Sequence, residues 1–240
     1  MATALTTIRD RIRVAINEKT ASYFTDADLM RWYDEGCVAQ HEIVMRNAEA
    51  LESMLPWQRK KFNVTFRREG HPYFMQFVAQ DPGTLVAGTM DYALPADFKH
   101  HINLTVASVD GDAEQHEAQW REPGMDSRTR RFPQWAPSGH EHAWTILASA
   151  DGAAQARVYG KGSGSKPASA LAYTLNYYRT VVIGAGIIGN SDVQDPYNDG
   201  PIQWVEAMAS QKQNIDPQPF FATHARHANA IVPIPNLGGS

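Results

Sequence analysis

Residues 171–179, LAYTLNYYR, alternate with period two: Leu171, Tyr173, Leu175 and Tyr177 fall on one side of an extended strand, and Ala172, Thr174, Asn176 and Tyr178 on the other. Aromatic and β-branched side chains in such alternation pack well on a pleated surface half-buried against a second layer. The stretch predicts an inner strand that closes a β-domain built before it, since it follows a helical opening and many short strand-like runs. The fold class that follows is α+β: an antiparallel β-sandwich over 59–189, inserted into a helical bundle of 1–58 and 195–214, with an extended C-terminal tail over 215–240.

Upstream, Phe62, Val64 and Phe66 alternate with Asn63, Thr65 and Arg67, and 73–79 reads as a second strand. Asp81-Pro82-Gly83 is a turn signal before 84–87. Strands are expected over 89–94, 101–109 and 116–121, with Asp110-Gly111 as a hairpin turn. Residues 122–139, rich in Pro, Arg and Ser, read as a long exposed loop whose Arg128, Arg130, Arg131 and Trp135 are candidate contacts. Residues 142–149 and 156–160 complete the sheet, and GKGSGSKP over 160–167 reads as a flexible hairpin tip.

At the front of the chain, Thr7 with Asp10 has the form of a capping box, and Ile8, Ile12, Ala15 and Ile16 recur at helical spacing. Thr25 with Asp28 repeats the pattern before a longer helix carrying Leu29, Trp32, Tyr33, Gly36, Ile43, Val44 and Leu51. Pro56 stops it near Leu55. Gly36 lies on the apolar stripe, where a missing side chain admits another backbone, from a neighbouring subunit or from a paired helix; the plainer reading is a locally weakened helix. Leu29, Trp32, Gly36 and Ile43 are the candidate inter-subunit contacts.

After a polar loop over 190–200, Pro201 suits the first turn of a helix carrying Ile202, Trp204, Val205, Met208 and Ala209. The tail has prolines at 217, 219, 233 and 235 and no period of either kind. Phe220, Phe221, Ile231, Val232, Ile234 and Leu237 are nonetheless too apolar for an inert linker, so the tail reads as a segment that orders on a partner. On that reading, removing 215–240 abolishes docking and leaves the fold intact.

The 240 residues are 43% hydrophobic and 20% charged, with six Trp, nine Tyr and nine Phe, enough for a sizeable core. One cysteine, Cys37, cannot form an internal disulfide, and the opening residues do not read as a secretory leader, so folding in a reducing cytosol is expected. No apolar run approaches the roughly 20 residues of a membrane span. A net charge of -4 argues against a general positive field for nucleic acid. Two local basic patches, Arg59, Lys60, Lys61, Arg67 and Arg68, and Arg121, Arg128, Arg130 and Arg131, read first as solvated faces, with nucleic-acid contact as the lesser reading.

VVIGAGIIG over 181–189 satisfies GxGxxG at Gly184, Gly186 and Gly189. A dinucleotide site needs a helix opening at the second glycine and a further parallel strand, and the polar, proline-containing stretch after Gly189 makes neither. His140 and His142, His100 and His101, and His224 and His227 form pairs without the Cys, Asp or Glu partners of a closed metal site. No nucleophile elbow, no Cys with a plausible base and no carboxylate pair in an apolar setting is present. No catalytic residue, cofactor or metal is therefore expected.

Three stretches carry a family resemblance: FTDADLMRWYDEGC (24–37), YALPADF (92–98) and YTLNYYRT (173–180). In that order, between a capped first helix and a late short one, they resemble the head-to-tail adaptor (connector or neck) proteins of tailed bacteriophages, over roughly residues 5–212. The resemblance implies a structural virion protein, made in the host cytoplasm, that forms a twelve-fold homo-oligomeric ring in the neck. Portal protein would lie above and a tail or nozzle protein below, with DNA passing through without sequence-specific binding and no membrane involved. Helices would form the ring wall and the C-terminal tail would reach the portal. The loop 122–139 and the tail after Ile215 are longer than the family pattern. A mildly acidic chain suits a channel in which DNA slides, and ring closure multiplies one heterologous contact. The alternative is a β-sandwich binding module, tail-associated or carbohydrate-binding, with Trp120, Phe132 and Trp135 stacking on a ligand. A nucleotide-dependent oxidoreductase rests on the glycine triplet alone.

Overall fold

The computed structural model describes residues 3–18, 23–108, 115–122, 142–148, 154–160, 166–167, 170–182 and 190–235. Among these the chain is mixed α+β, with six helices and eight strands in two four-stranded sheets. It forms two compact units, Met1–Phe77 with Thr180–Ser240, and Val78–Arg179. Arg128, Arg130, Arg131, Phe132, Trp135, Leu237, His140, the Asp110-Gly111 turn, the hairpin tip over 161–165 and the glycines of the GxGxxG run lie outside the described residues.

In the first unit, α1 (Leu5–Ala15) begins earlier than the capping pattern indicates. Its N-cap is Ala4, whose carbonyl accepts from the Thr7 and Ile8 amides, so Thr7 and Asp10 lie inside the helix. Burial of Leu5, Ile8 and Ile12 sets the start, because the apolar stripe begins at Leu5. The second signal is a true cap. Thr25 accepts from the Asp28 amide at 3.1 Å and its hydroxyl donates to the Asp28 carboxylate at 2.6 Å, opening α2 (Asp26–Glu52). Pro56, expected only to end α2, also opens α3 (Pro56–Lys61) at a position where its missing N–H costs nothing.

Two strands expected here are not formed. Residues 62–66 are a loop in which Asn63 is left-handed at φ 52° and the Val64 amide donates to the Arg59 carbonyl at 2.8 Å. Phe66 packs with His71 and Phe74 instead of pairing in a sheet. Part of 73–79 is the single turn α4 (Pro72–Met75), with Tyr73, Phe74 and Phe77 fully buried.

The C-terminal segment is the main correction. It is not extended: α5 (Asp199–Lys212) is followed by α6 (Gln218–Ile231), and α6 packs on both α2 and α5. Val232 is completely buried, and its carbonyl accepts from Asn47 at 3.1 Å. Prolines 217 and 219 fall at the helix start and 233 and 235 just after its end, where proline brackets a helix without breaking it.

The second unit holds β1 (Val78–Thr84), β2 (Asp91–Ala93), β3 (Phe98–Ala107), β4 (Gln115–Glu117), β5 (Gln119–Trp120), β6 (Ala143–Ala148), β7 (Ala154–Tyr159) and β8 (Ala172–Arg179). The sheets run β1-β8-β3-β4 and β2-β7-β6-β5, antiparallel throughout except for the β5–β6 pair. The tyrosine strand is indeed an inner one. Its Leu175 and Tyr177 join Leu104 and Val106 of the same sheet, and Trp144 and Val158 of the other, in one apolar cluster, with Leu171 and Tyr173 packed on it. Burial, with a hydrogen bond at 2.9 Å to the Asp97 carboxylate, pushes the Tyr177 hydroxyl up to about 12.

Asp81-Pro82-Gly83 is not a turn. All three residues lie within β1, opposite Leu175, Thr174 and Tyr173. β1 is an edge strand, which tolerates a proline with no N–H to donate. Gly83 lies under the Tyr173 ring, and a Cβ there would come within 2.4 Å of its Cζ.

Candidate functional site

Burial settles which faces of the helical unit are available to a partner. Leu29, Trp32 and Gly36, expected at an inter-subunit contact, are buried within their own unit, while Ile43 is half-buried. Gly36 is the close-approach glycine of a helix pair inside one chain. A Cβ there would stand 2.8 Å from the Cβ of Trp204 and 3.1 Å from the Cα of Pro201, both on α5. Gly200 answers it from the other side, with the Gln40 side chain occupying the space its own would need. A glycine on each helix, with a larger residue of the other helix set against it, lets α2 and α5 approach closely.

The residues assigned to portal binding divide in the same way. Val232 is buried, Phe220, Phe221 and Ile231 are half-buried, and Phe221 meets Trp204 edge-on at 4.9 Å. Ile234, at 41% exposure, is the one of the described five that remains at the surface. Asn47 is a residue the sequence reading missed: it donates to Asn229 at 2.9 Å as well as to Val232. The signal was there, because a polar residue on the stripe of Val44 and Leu51 needs a partner once buried.

Among the described residues an open groove of about 670 Å³ is lined by Thr7, Asp10, Arg11 and Val14 of α1, Asp199, Ile202 and Gln203 of α5, and His227 of α6, among others. Arg11 spans its rim, bonding Asp195 at 3.1 Å and Asp199 at 2.5 Å. Hydrogen bonds from Asn198, then from Thr3 and Arg11, hold the Asp195 carboxyl below the usual carboxylate range. Val14, 72% exposed, offers an apolar contact beside this charged rim. Such a lining suits the docking of a polypeptide segment with one apolar face.

A smaller cavity of about 190 Å³ is bounded by Tyr33, Cys37 and Ser191, among others. The Tyr33 hydroxyl bonds Ser191 at 2.7 Å and donates to Asn198 at 2.6 Å. Burial raises both the Tyr33 hydroxyl and the Cys37 thiol above their ordinary ranges, so Cys37 stays protonated and is a poor nucleophile. Among the described residues no three His, Cys, Asp or Glu side chains are grouped to hold a metal ion, and no helix is long and apolar enough to cross a membrane.

His224 and His101 have structural partners. His224 is buried with Nδ1 at 2.9 Å from the Gly200 carbonyl, and burial holds its pKa down. His101 stacks on Trp120 at 3.7 Å, and Trp120 also meets Trp144 edge-on. One face of Trp120 is thereby occupied within its own unit. No family model matches the chain, and no curated protein matches it.

Proposed function

We propose that this chain is a structural subunit of a bacteriophage head-to-tail adaptor ring in the virion neck, joining portal to tail around the DNA channel. The observation that carries the reading is the placement of the three resembling stretches. Residues 24–37 cover the cap and first half of α2, 92–98 run from β2 into β3, and 173–180 cover β8, so all three are scaffold elements in the order the resemblance requires. On this reading α1, α2, α5 and α6 are the helical bundle, and the two sheets are the inserted sandwich. The ring is a homo-oligomer, twelve-fold, with no catalytic step and no cofactor.

The docking element differs from the one expected of a free tail. With α6 packed on α2 and α5, the portal or a neighbouring copy is met by the groove around Arg11 and Val14 and by exposed Ile234. Light scattering and negative-stain imaging of the purified protein, alone and mixed with its portal, test this. The expected outcome is a ring on the portal whose formation Val14→Asp suppresses; a monomer indifferent to portal refutes it. The alternative, a binding module presenting Trp120 with Phe132 and Trp135, draws less support, since Trp120 already stacks on His101.

A further inference from the structure

From Ser53 to Arg68 the chain has five cations and no carboxylate, within a protein of net charge -4. The structure sorts the five. Arg68 is buried and bonded to Glu52 at 2.8 and 3.2 Å, with its guanidinium over the Phe74 ring. Arg59 is half-buried and donates to the Phe66 carbonyl at 3.2 Å. Lys60, Lys61 and Arg67 are exposed, and no ion pair with another described residue engages them.

On α3, Trp57, Lys60 and Lys61 stand three and four residues apart, so they share one face. That face is the open one: Trp57 is 61% exposed, while Gln58 and Arg59 turn inward. The Arg59 to Phe66 bond holds the backbone next to Arg67 beside α3, and the rings of Phe66, His71 and Phe74 anchor the loop behind it. An exposed indole flanked by two lysines free of internal carboxylates is thus displayed on one face of α3, with exposed Arg67 in the loop that follows.

We infer that the α3 face formed by Trp57, Lys60 and Lys61 binds single-stranded nucleic acid, the lysines on successive phosphates and the indole stacked on an unpaired base. Base stacking on an aromatic ring is sequence-tolerant, and phosphate contact carries no sequence information. A membrane surface fits less well, because a six-residue helix lacks the long apolar face that lies in a lipid interface. The overall negative charge does not oppose this, since local attraction acts over about 8 to 10 Å at ordinary salt. The inference does not rest on the ring reading: it concerns the isolated subunit, and the portal experiment needs no nucleic acid.

The test is fluorescence anisotropy of a labelled oligothymidylate, against a duplex of equal length and anionic phospholipid vesicles. Two phosphate contacts give a slope of about -1.4 in log affinity against log salt, or a loss of about 7-fold between about 50 and about 200 mM. Lys60→Glu with Lys61→Glu is expected to weaken binding at least tenfold at the lower salt. Trp57→Ala is expected to weaken the single strand about fivefold or more and leave the duplex unchanged. All three side chains are exposed, so circular dichroism should show an unaltered fold. No binding at low salt, binding indifferent to the lysine pair or to Trp57, or binding to vesicles in preference to the oligonucleotide would overturn the inference.

Discussion

Replacing Gly36 by alanine sets two opposing effects against each other, and the structure decides the sign. In an isolated helix the change is favourable, by up to about 1 kcal/mol, because glycine loses more backbone entropy on folding. Here the new Cβ would stand 2.8 Å from the Cβ of Trp204, and 3.1 Å from the Cα and the carbonyl oxygen of Pro201. An ordinary carbon contact is about 3.5 Å, so the deficit at Trp204 is about 0.7 Å. None of the three atoms can swing away by a rotamer change, so α2 and α5 must part along their whole contact. Overpacking of this kind costs about 1 to 3 kcal/mol, and rigid neighbours place it at the upper end. The net expectation is a loss of about 1 to 2 kcal/mol. With a urea dependence of about 2 kcal/mol per molar, the midpoint followed at 222 nm falls by about 0.5 to 1 M. A midpoint equal to or above wild type would refute the close-approach argument, for the propensity gain would then have prevailed.

Asp26→Ala removes the carboxylate that Arg13 pairs with; the Arg13 side chain is 9% exposed and also donates to the Phe24 carbonyl at 3.3 Å. The expected loss is about 2 to 3 kcal/mol in denaturant unfolding, and a change below about 0.5 would show that water already serves the guanidinium. Burial lowers the pKa of His224 and of His71. The unfolded chain therefore takes up protons first, and stability is complete above about pH 6.5 and lost as pH falls towards the folded values, at up to about 1.4 kcal/mol per pH unit for His224 and less for His71, which solvent screens. Urea midpoints between about pH 7.5 and 5 check this, and a flat or rising trend on acidification would contradict it. Ending the chain before Pro217 removes α6 and bares the faces of α2 and α5 that it covers, so the helical unit should lose its cooperative melting transition. An unchanged melting curve would restore the free-tail reading.

Much of the scaffold could be read locally. Alternation in 171–179 identified an inner strand because period two is written within nine residues and does not depend on which strands lie beside it. The Thr25 to Asp28 cap and the stripe from Leu29 to Leu51 likewise carry their own geometry. Local pattern failed where a distant neighbour supplied the reason for a conformation. Asp81-Pro82-Gly83 pairs as strand because it lies at an edge and because Tyr173 needs the room over Gly83. The segment after Ile215 does carry a helical stripe, Phe221, His224, Ala228 and Val232 at spacings of three and four, which the four prolines around it masked; Asn47 receives it at the Val232 carbonyl and Gly200 at His224. For the same reason the groove around Arg11, assembled from α1 and, far along the chain, from α5 and α6, left no trace in any one of them. By itself the sequence determined the strand over 171–179 and the long stripe of α2, since side-chain period is a property of consecutive residues, although the equally periodic run at 62–66 formed a loop. Tertiary structure alone decided that the C-terminal end belongs to its own core, since covering an apolar face requires knowing which surface stands opposite it.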